Sequence, residues 1–218
     1  MALPPGAPPG LPVALCLHPR GCNARWVVDA LRLQDHVALE VRAGMAPFAL
    51  VAMDSGGRWW RPHADGGDPL AEAMEALLPW ARERYDLGPR VALLGWSMGG
   101  LGVLQSPVTV PHRVEALVAT SPALFLSSRV WPRDPEGPYA GPAQFEALDP
   151  LRHPSTLAGV PLRLDCGDLD PFAAGAEALL ASLRGHAEGG LQPGCHDEAF
   201  WHRVAGAQAR FLARHLAG

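Results

Sequence analysis

One stretch, residues 90–100, restricts the fold more than any other. Val91 to Leu94 is a short unbroken apolar run, the pattern of a strand buried on both faces. It passes directly into Gly95-Trp96-Ser97-Met98-Gly99, a G-x-S-x-G sequence of the kind that folds as a strand-turn-helix elbow and lifts a serine into a site. A nucleophile on so sharp a turn has a strained backbone, and only hydrogen side chains on either side leave room for it. The chain holds 24 glycines, so five residues alone prove little. The buried strand in front of them supplies the context an elbow requires.

The length, 218 residues, predicts a Pro/Gly-rich, poorly ordered lead-in over 1–11 and a single domain over 12–218. With 48% hydrophobic and 18% charged residues, the composition is that of a globular chain and not a disordered one. A net charge of −4 without any basic run argues against a nucleic-acid surface. All 18 basic residues are arginine, which excludes Schiff-base lysine chemistry. The opening residues lack the charged and apolar regions of a signal peptide, and no stretch approaches the ~20 apolar residues that span a bilayer. The expectation is a cytoplasmic protein without membrane insertion. Cys16, Cys22, Cys166 and Cys195 show no C-x-x-C spacing and read as free thiols.

Apolar runs at 12–17, 47–53, 91–94, 114–119 and 160–166 read as strands. Helical periodicity over 24–41, 69–81, 173–186 and 197–216 separates them. Asp68 is placed to cap the second helix, with Pro69 at its first position. After the elbow, a short helix over 98–105 is expected to break before Pro107. Residues 122–158 read as an irregular, proline-rich lid segment, and 190–194 as a short strand or loop. Strands alternating with helices predict an α/β fold, a mostly parallel central sheet with helices on both faces. Ligands then bind beyond the carboxyl ends of the strands, at loops 18–23, 54–63, 96–99, 167–172 and 194–197.

Those loops hold the polar residues that chemistry at Ser97 would need. A serine hydroxyl needs a base, and the base a carboxylate to fix its tautomer. In such elbows the chain order is Ser, then Asp or Glu, then His. Among His112, His153, His186, His196, His202 and His215, only His196 lies in a turn-rich loop just before the final helix. For the acid, Asp170 is favoured over Asp168, and Asp165 falls inside a strand. Two backbone N–H groups would hold an oxyanion: Met98, after the nucleophile, and Arg20, since Pro19 has no N–H. Trp59, Trp60, Trp96 and Trp201 stand in or beside these loops, as an aromatic substrate pocket or as core filling. Arg58, Arg61 and His63 read more readily as a solvated loop than as an anion site.

Taken together, the chain resembles the α/β-hydrolases, and among them small bacterial esterases related to esterase D, feruloyl esterases and mycolyltransferase-like proteins. The resemblance runs from about residue 12 to the C-terminus. It rests on His18-Pro19-Arg20-Gly21, residues 54–63, the elbow, Thr120-Ser121-Pro122-Ala123, residues 166–172 and residues 194–201. It implies a Ser97–His196–Asp170 triad acting on a small-molecule carboxylic ester, with no metal and no cofactor. Two rivals stay open: acyl transfer to an alcohol or sugar, and a non-catalytic binding protein on the same fold. The chain departs from the relatives at Pro19, where they carry glycine, and in the proline-broken helix after the elbow.

Overall fold

The structure, a computed structural model, describes residues 1–4, 6–110, 114–127 and 137–217. Its centre is a sheet of six strands, all parallel, in the order β2-β1-β3-β4-β5-β6. In chain order these are β1 (Leu11–Leu17), β2 (Ala49–Ala52), β3 (Leu87–Trp96), β4 (Leu117–Thr120), β5 (Leu162–Gly167) and β6 (Ala187–Gln192). β1 is nearly all apolar because both of its faces are covered. Val13, Leu15 and Leu17 enter one core, while Ala14 and Cys16 enter the other. Helices α1 (Trp26–Asp29), α2 (Leu33–Arg42) and α8 (Glu198–Leu216) cover the second face. On the first face lie α3 (Pro69–Glu72), α4 (Leu78–Tyr85), α5 (Met98–Thr109), α6 (Pro142–Leu148) and α7 (Ala173–Leu183).

Several sequence expectations need revision. The single helix expected over 24–41 is two, because Arg32 adopts φ 48° between α1 and α2. The break lets Trp26 turn in against Trp96 and Trp201. β3 begins at Leu87 and not Val91, since Asp86 turns the chain with φ 50° straight from α4 into the sheet. α5 does not stop before Pro107; it continues to Thr109. Proline removes the N–H that Val103 O would receive, and Ser106 Oγ donates to that carbonyl instead, at 2.7 Å.

The lead-in is also better anchored than its composition suggests. Ala2 exchanges two backbone hydrogen bonds of 2.9 Å with Leu50, which closes part of the exposed edge of β2. Within the segment read as an irregular lid, α6 and a 3₁₀ turn at Pro154–Leu157 pack Tyr139, Phe145 and Leu157 into the core. His112, one of the candidate bases, lies outside the described residues. Asp68 caps α3 as expected, accepting from Leu70 N and Ala71 N at 3.1 Å. The four cysteines are free.

Candidate functional site

Because the sheet is wholly parallel, the loops after all its strands open on one edge. There the chain leaves β3 at Ser97 with φ 52° and ψ −111°, and α5 starts at Met98. That backbone is costly for any residue but glycine, so its surroundings must hold it. Ser97 N–H donates to Thr120 O at 2.9 Å, and Ala123 N–H donates to Ser97 O at 3.0 Å. A Cβ on Gly95 would strike the Gly99 carbonyl, and one on Gly99 would strike that of Leu17. The two glycines of the motif therefore allow β1, β3 and α5 to meet at the turn.

Three side chains from separate loops line up there. His196 Nε2 lies 3.0 Å from Ser97 Oγ, and its Nδ1 lies 2.7 Å from Asp170 Oδ2. Asp170 is buried, and its Oδ1 accepts from Phe172 N at 2.8 Å. Asp168 is exposed; its Oδ1 accepts from Gly194 N at 3.0 Å, pinning the loop that carries His196. Immediately after His196, Asp197 caps α8 by accepting from Phe200 N at 2.9 Å. His196 is thus fixed by backbone contacts on either side.

Asp165 has a different task. Arg163 donates to both of its oxygens at 2.8 Å, Gln192 to Oδ1 at 2.9 Å and Gln208 to Oδ2 at 2.8 Å. Its lone pairs are taken up inside the sheet. Of the other described candidate histidines, three have partners elsewhere and one is exposed. His202 meets His36 at 3.0 Å, His153 Nε2 lies 2.7 Å from Glu146 O, the His215 ring sits tilted against Phe211 with centroids 4.7 Å apart, and His186 is exposed.

The loop after β1 is held by His18, which is fully buried. Ser55 N–H donates to its Nε2 at 3.1 Å, so the ring proton sits on Nδ1 and is donated to Pro19 O at 2.9 Å. Burial lowers the His18 pKa, against smaller opposing effects from the Pro19 carbonyl and Asp54. The ring is neutral and serves as a clamp between loops 18–22 and 54–58. Pro19 O also receives Cys22 N–H at 3.2 Å. The proline therefore anchors, through its carbonyl, the tight turn that carries Arg20. Met98 is fully buried at the first position of α5.

The four tryptophans divide. Trp96 and Trp60, 0% and 1% exposed, are core residues that leave no surface for a ligand, which corrects the expectation of a pocket role for them. Trp60 Nε1 donates to His18 O at 3.2 Å. Trp201 stands edge-on to His196 with ring centroids 5.3 Å apart. Trp59 lies 6.5 Å from Phe125, which meets Phe172 at 5.4 Å, and Phe172 in turn meets His196 at 5.4 Å. This aromatic line past the imidazole was missed in the sequence, although Phe172 sits only two residues beyond Asp170. Arg58 pairs with Asp65 at 2.6 Å, and buried Arg61 donates to Gly137 O and Pro62 O. His63 Nε2 lies 3.0 Å from Trp59 O. Among the described residues no group of three or more His, Cys, Asp or Glu could hold a metal ion, and no helix is long and apolar enough to cross a membrane.

Comparison with known proteins points the same way. The profile of the Esterase family, described as "Putative esterase", matches residues 20–184. Pimeloyl-[acyl-carrier protein] methyl ester esterase of Aeromonas salmonicida is 41% identical over 71 residues, which is 31% of this chain and 28% of that protein. The chain thus matches less than a third of the length of that curated relative. A ferulic acid esterase superposes with a TM-score of 0.80 at 19% identity, covering 95% of this chain and 86% of the other. FphF, a fluorophosphonate-binding serine hydrolase of Staphylococcus aureus, superposes with a TM-score of 0.75 at 15% identity, covering 95% and 85%. These structural likenesses establish the α/β-hydrolase fold.

Proposed function

This chain belongs to the Esterase family, and on that footing we propose that it is a serine hydrolase cleaving carboxylic esters through an acyl-enzyme. The observation that carries the proposal is the unbroken line from Ser97 Oγ through the imidazole of His196 to the carboxylate of Asp170. Ser97 Oγ attacks the ester carbonyl while His196 Nε2 takes its proton. Asp170 holds the Nδ1–H tautomer and stabilises the imidazolium that forms. The carbonyl oxygen becomes an oxyanion, received by the backbone N–H groups of Met98 and Arg20. Collapse breaks the ester C–O bond, and His196 returns its proton to the leaving alcohol. Water, activated by the same imidazole, then releases the acid and restores Ser97.

The substrate is a small-molecule ester, and the half-exposed Phe172 beside His196 favours an apolar group next to the reacting carbonyl. Hydrolysis of p-nitrophenyl acetate and butyrate, together with fluorophosphonate labelling seen by mass spectrometry, tests the proposal. Wild type should turn over and gain one adduct on Ser97. Ser97→Ala should lose both, with turnover down at least about a thousandfold. Equal hydrolysis by the two proteins would sink the reading. Absence of label on wild type would favour a binding protein on this fold.

A further inference from the structure

We propose that His18 is a positioning residue for the oxyanion hole: its ring grips the carbonyl end of the Pro19–Arg20 peptide and so aims the N–H at the other end. Pro19 C=O and Arg20 N–H belong to one peptide unit. That unit is planar, and among the described residues no peptide bond is cis, so the two groups point in opposite directions. Whatever holds Pro19 O therefore sets the direction of Arg20 N–H.

Two donors hold Pro19 O. Cys22 N–H reaches it at 3.2 Å and closes a tight turn, in which Gly21 takes φ 78°, a left-handed value that favours glycine. That bond lies inside the turn, so it fixes the turn's shape and not its aim. The second donor is His18 Nδ1, at 2.9 Å. The ring carries its proton there because Nε2 is taken up as an acceptor by Ser55 N–H at 3.1 Å. Ser55 is held in its turn, its hydroxyl donating to Arg58 O at 2.9 Å. The fully buried imidazole thus carries the position of loop 54–58 into the Pro19–Arg20 peptide.

His18 is also referred to α5, the helix that Met98 opens. Trp60 Nε1 donates to His18 O at 3.2 Å, and the indole stands edge-on to the imidazole with centroids 5.3 Å apart. Trp60 reaches this place because Gly102 of α5 has no side chain; a Cβ there would strike Trp60 Cβ. About one turn earlier, Gly99 admits the Leu17 carbonyl in the same way. The two backbone donors are therefore set against a single support, Met98 by starting the helix and Arg20 through His18. His18 need not touch the substrate; it acts through the peptide it holds.

This inference rests on the proposed triad and oxyanion donors, and its test separates it from them. Asparagine places its amide where Nδ1 stands and keeps a donor for Pro19 O. Glutamine places its amide where Nε2 stands and keeps a partner for Ser55 N–H only. With p-nitrophenyl acetate, kcat per folded molecule should fall about ten- to hundredfold in His18→Gln, with KM within about twofold, and no more than about fivefold in His18→Asn. His18→Leu, which fills the buried space without a donor, should match His18→Gln and replaces it if glutamine prevents folding. A trifluoromethyl ketone, whose serine adduct carries the same oxyanion, should bind His18→Gln more weakly by the factor lost in kcat. A merely structural role would lower thermal stability and leave kcat per folded molecule and ketone affinity unchanged. Equal kcat in the asparagine and glutamine variants, or wild-type ketone affinity in His18→Gln, overturns the inference. A wild type that neither hydrolyses the ester nor takes the fluorophosphonate sinks the triad, and the inference with it.

Discussion

Two aspartates two residues apart have different partners, and the proposed mechanism gives them different work. Asp170 is buried against His196, whereas Asp168 is exposed and receives Gly194 N–H. Asparagine at 168 keeps a carbonyl oxygen for that N–H. Asparagine at 170 keeps the shape but permits the wrong imidazole tautomer. Asp170→Asn should therefore lower kcat about a thousandfold or more, and Asp168→Asn no more than about threefold. Parallel kinetics on p-nitrophenyl butyrate decide the matter, and similar losses in both variants would refute this division of labour.

At the level of elements, α5 is the support on which the elbow turns. Nine successive residues, Met98 to Ser106, are buried, so a fault in this helix cannot be relieved by water. Pro107 creates such a fault, and the Ser106 hydroxyl fills it by donating to Val103 O at 2.7 Å. Ser106→Ala leaves the carbonyl without that donor and should cost about 1–2 kcal/mol. Urea denaturation at neutral pH would measure the loss. A variant as stable as wild type would mean that Val103 O finds another partner. The same logic explains why the helix does not break where proline alone suggests.

In the whole molecule, the segment after β4 packs against α5 through α6 and carries a buried acid. Asp149 is 2% exposed, and burial raises its pKa to about 6, partly offset by the Leu151 N–H and by Arg152. A carboxyl whose pKa is higher folded than unfolded binds its proton more tightly in the folded state. Its contribution is therefore full below about pH 4 and is lost as pH rises through 6, by about 3 kcal/mol. Asp149→Asn should remove that loss, gaining stability relative to wild type at pH 8 and little at pH 4. Thermal melts of both proteins at the two pH values provide the check. A wild-type-to-variant difference that does not change with pH would contradict it.

The sequence alone carried the alternation of elements, the G-x-S-x-G turn at Ser97, the order of Asp170 and His196 behind it and the sheet edge to which their loops belong. Each is written in local terms: an apolar run, a glycine beside a sharp turn, a polar loop after a strand. Asp68 as a cap and Asp165 as a strand residue were legible for the same reason. What could not be read there depends on neighbours distant in the chain. The core burial of Trp60 and Trp96, the His18 clamp on loop 54–58 and the Phe125–Phe172 line past His196 arise only when the sheet gathers its loops at one edge. Ser121 shows the difference most plainly. By sequence it is one serine after a strand, and its hydrogen-bond partner, Trp201, lies 80 residues away. Hydrogen-bond donors have direction, and only the tertiary structure gives them something to point at.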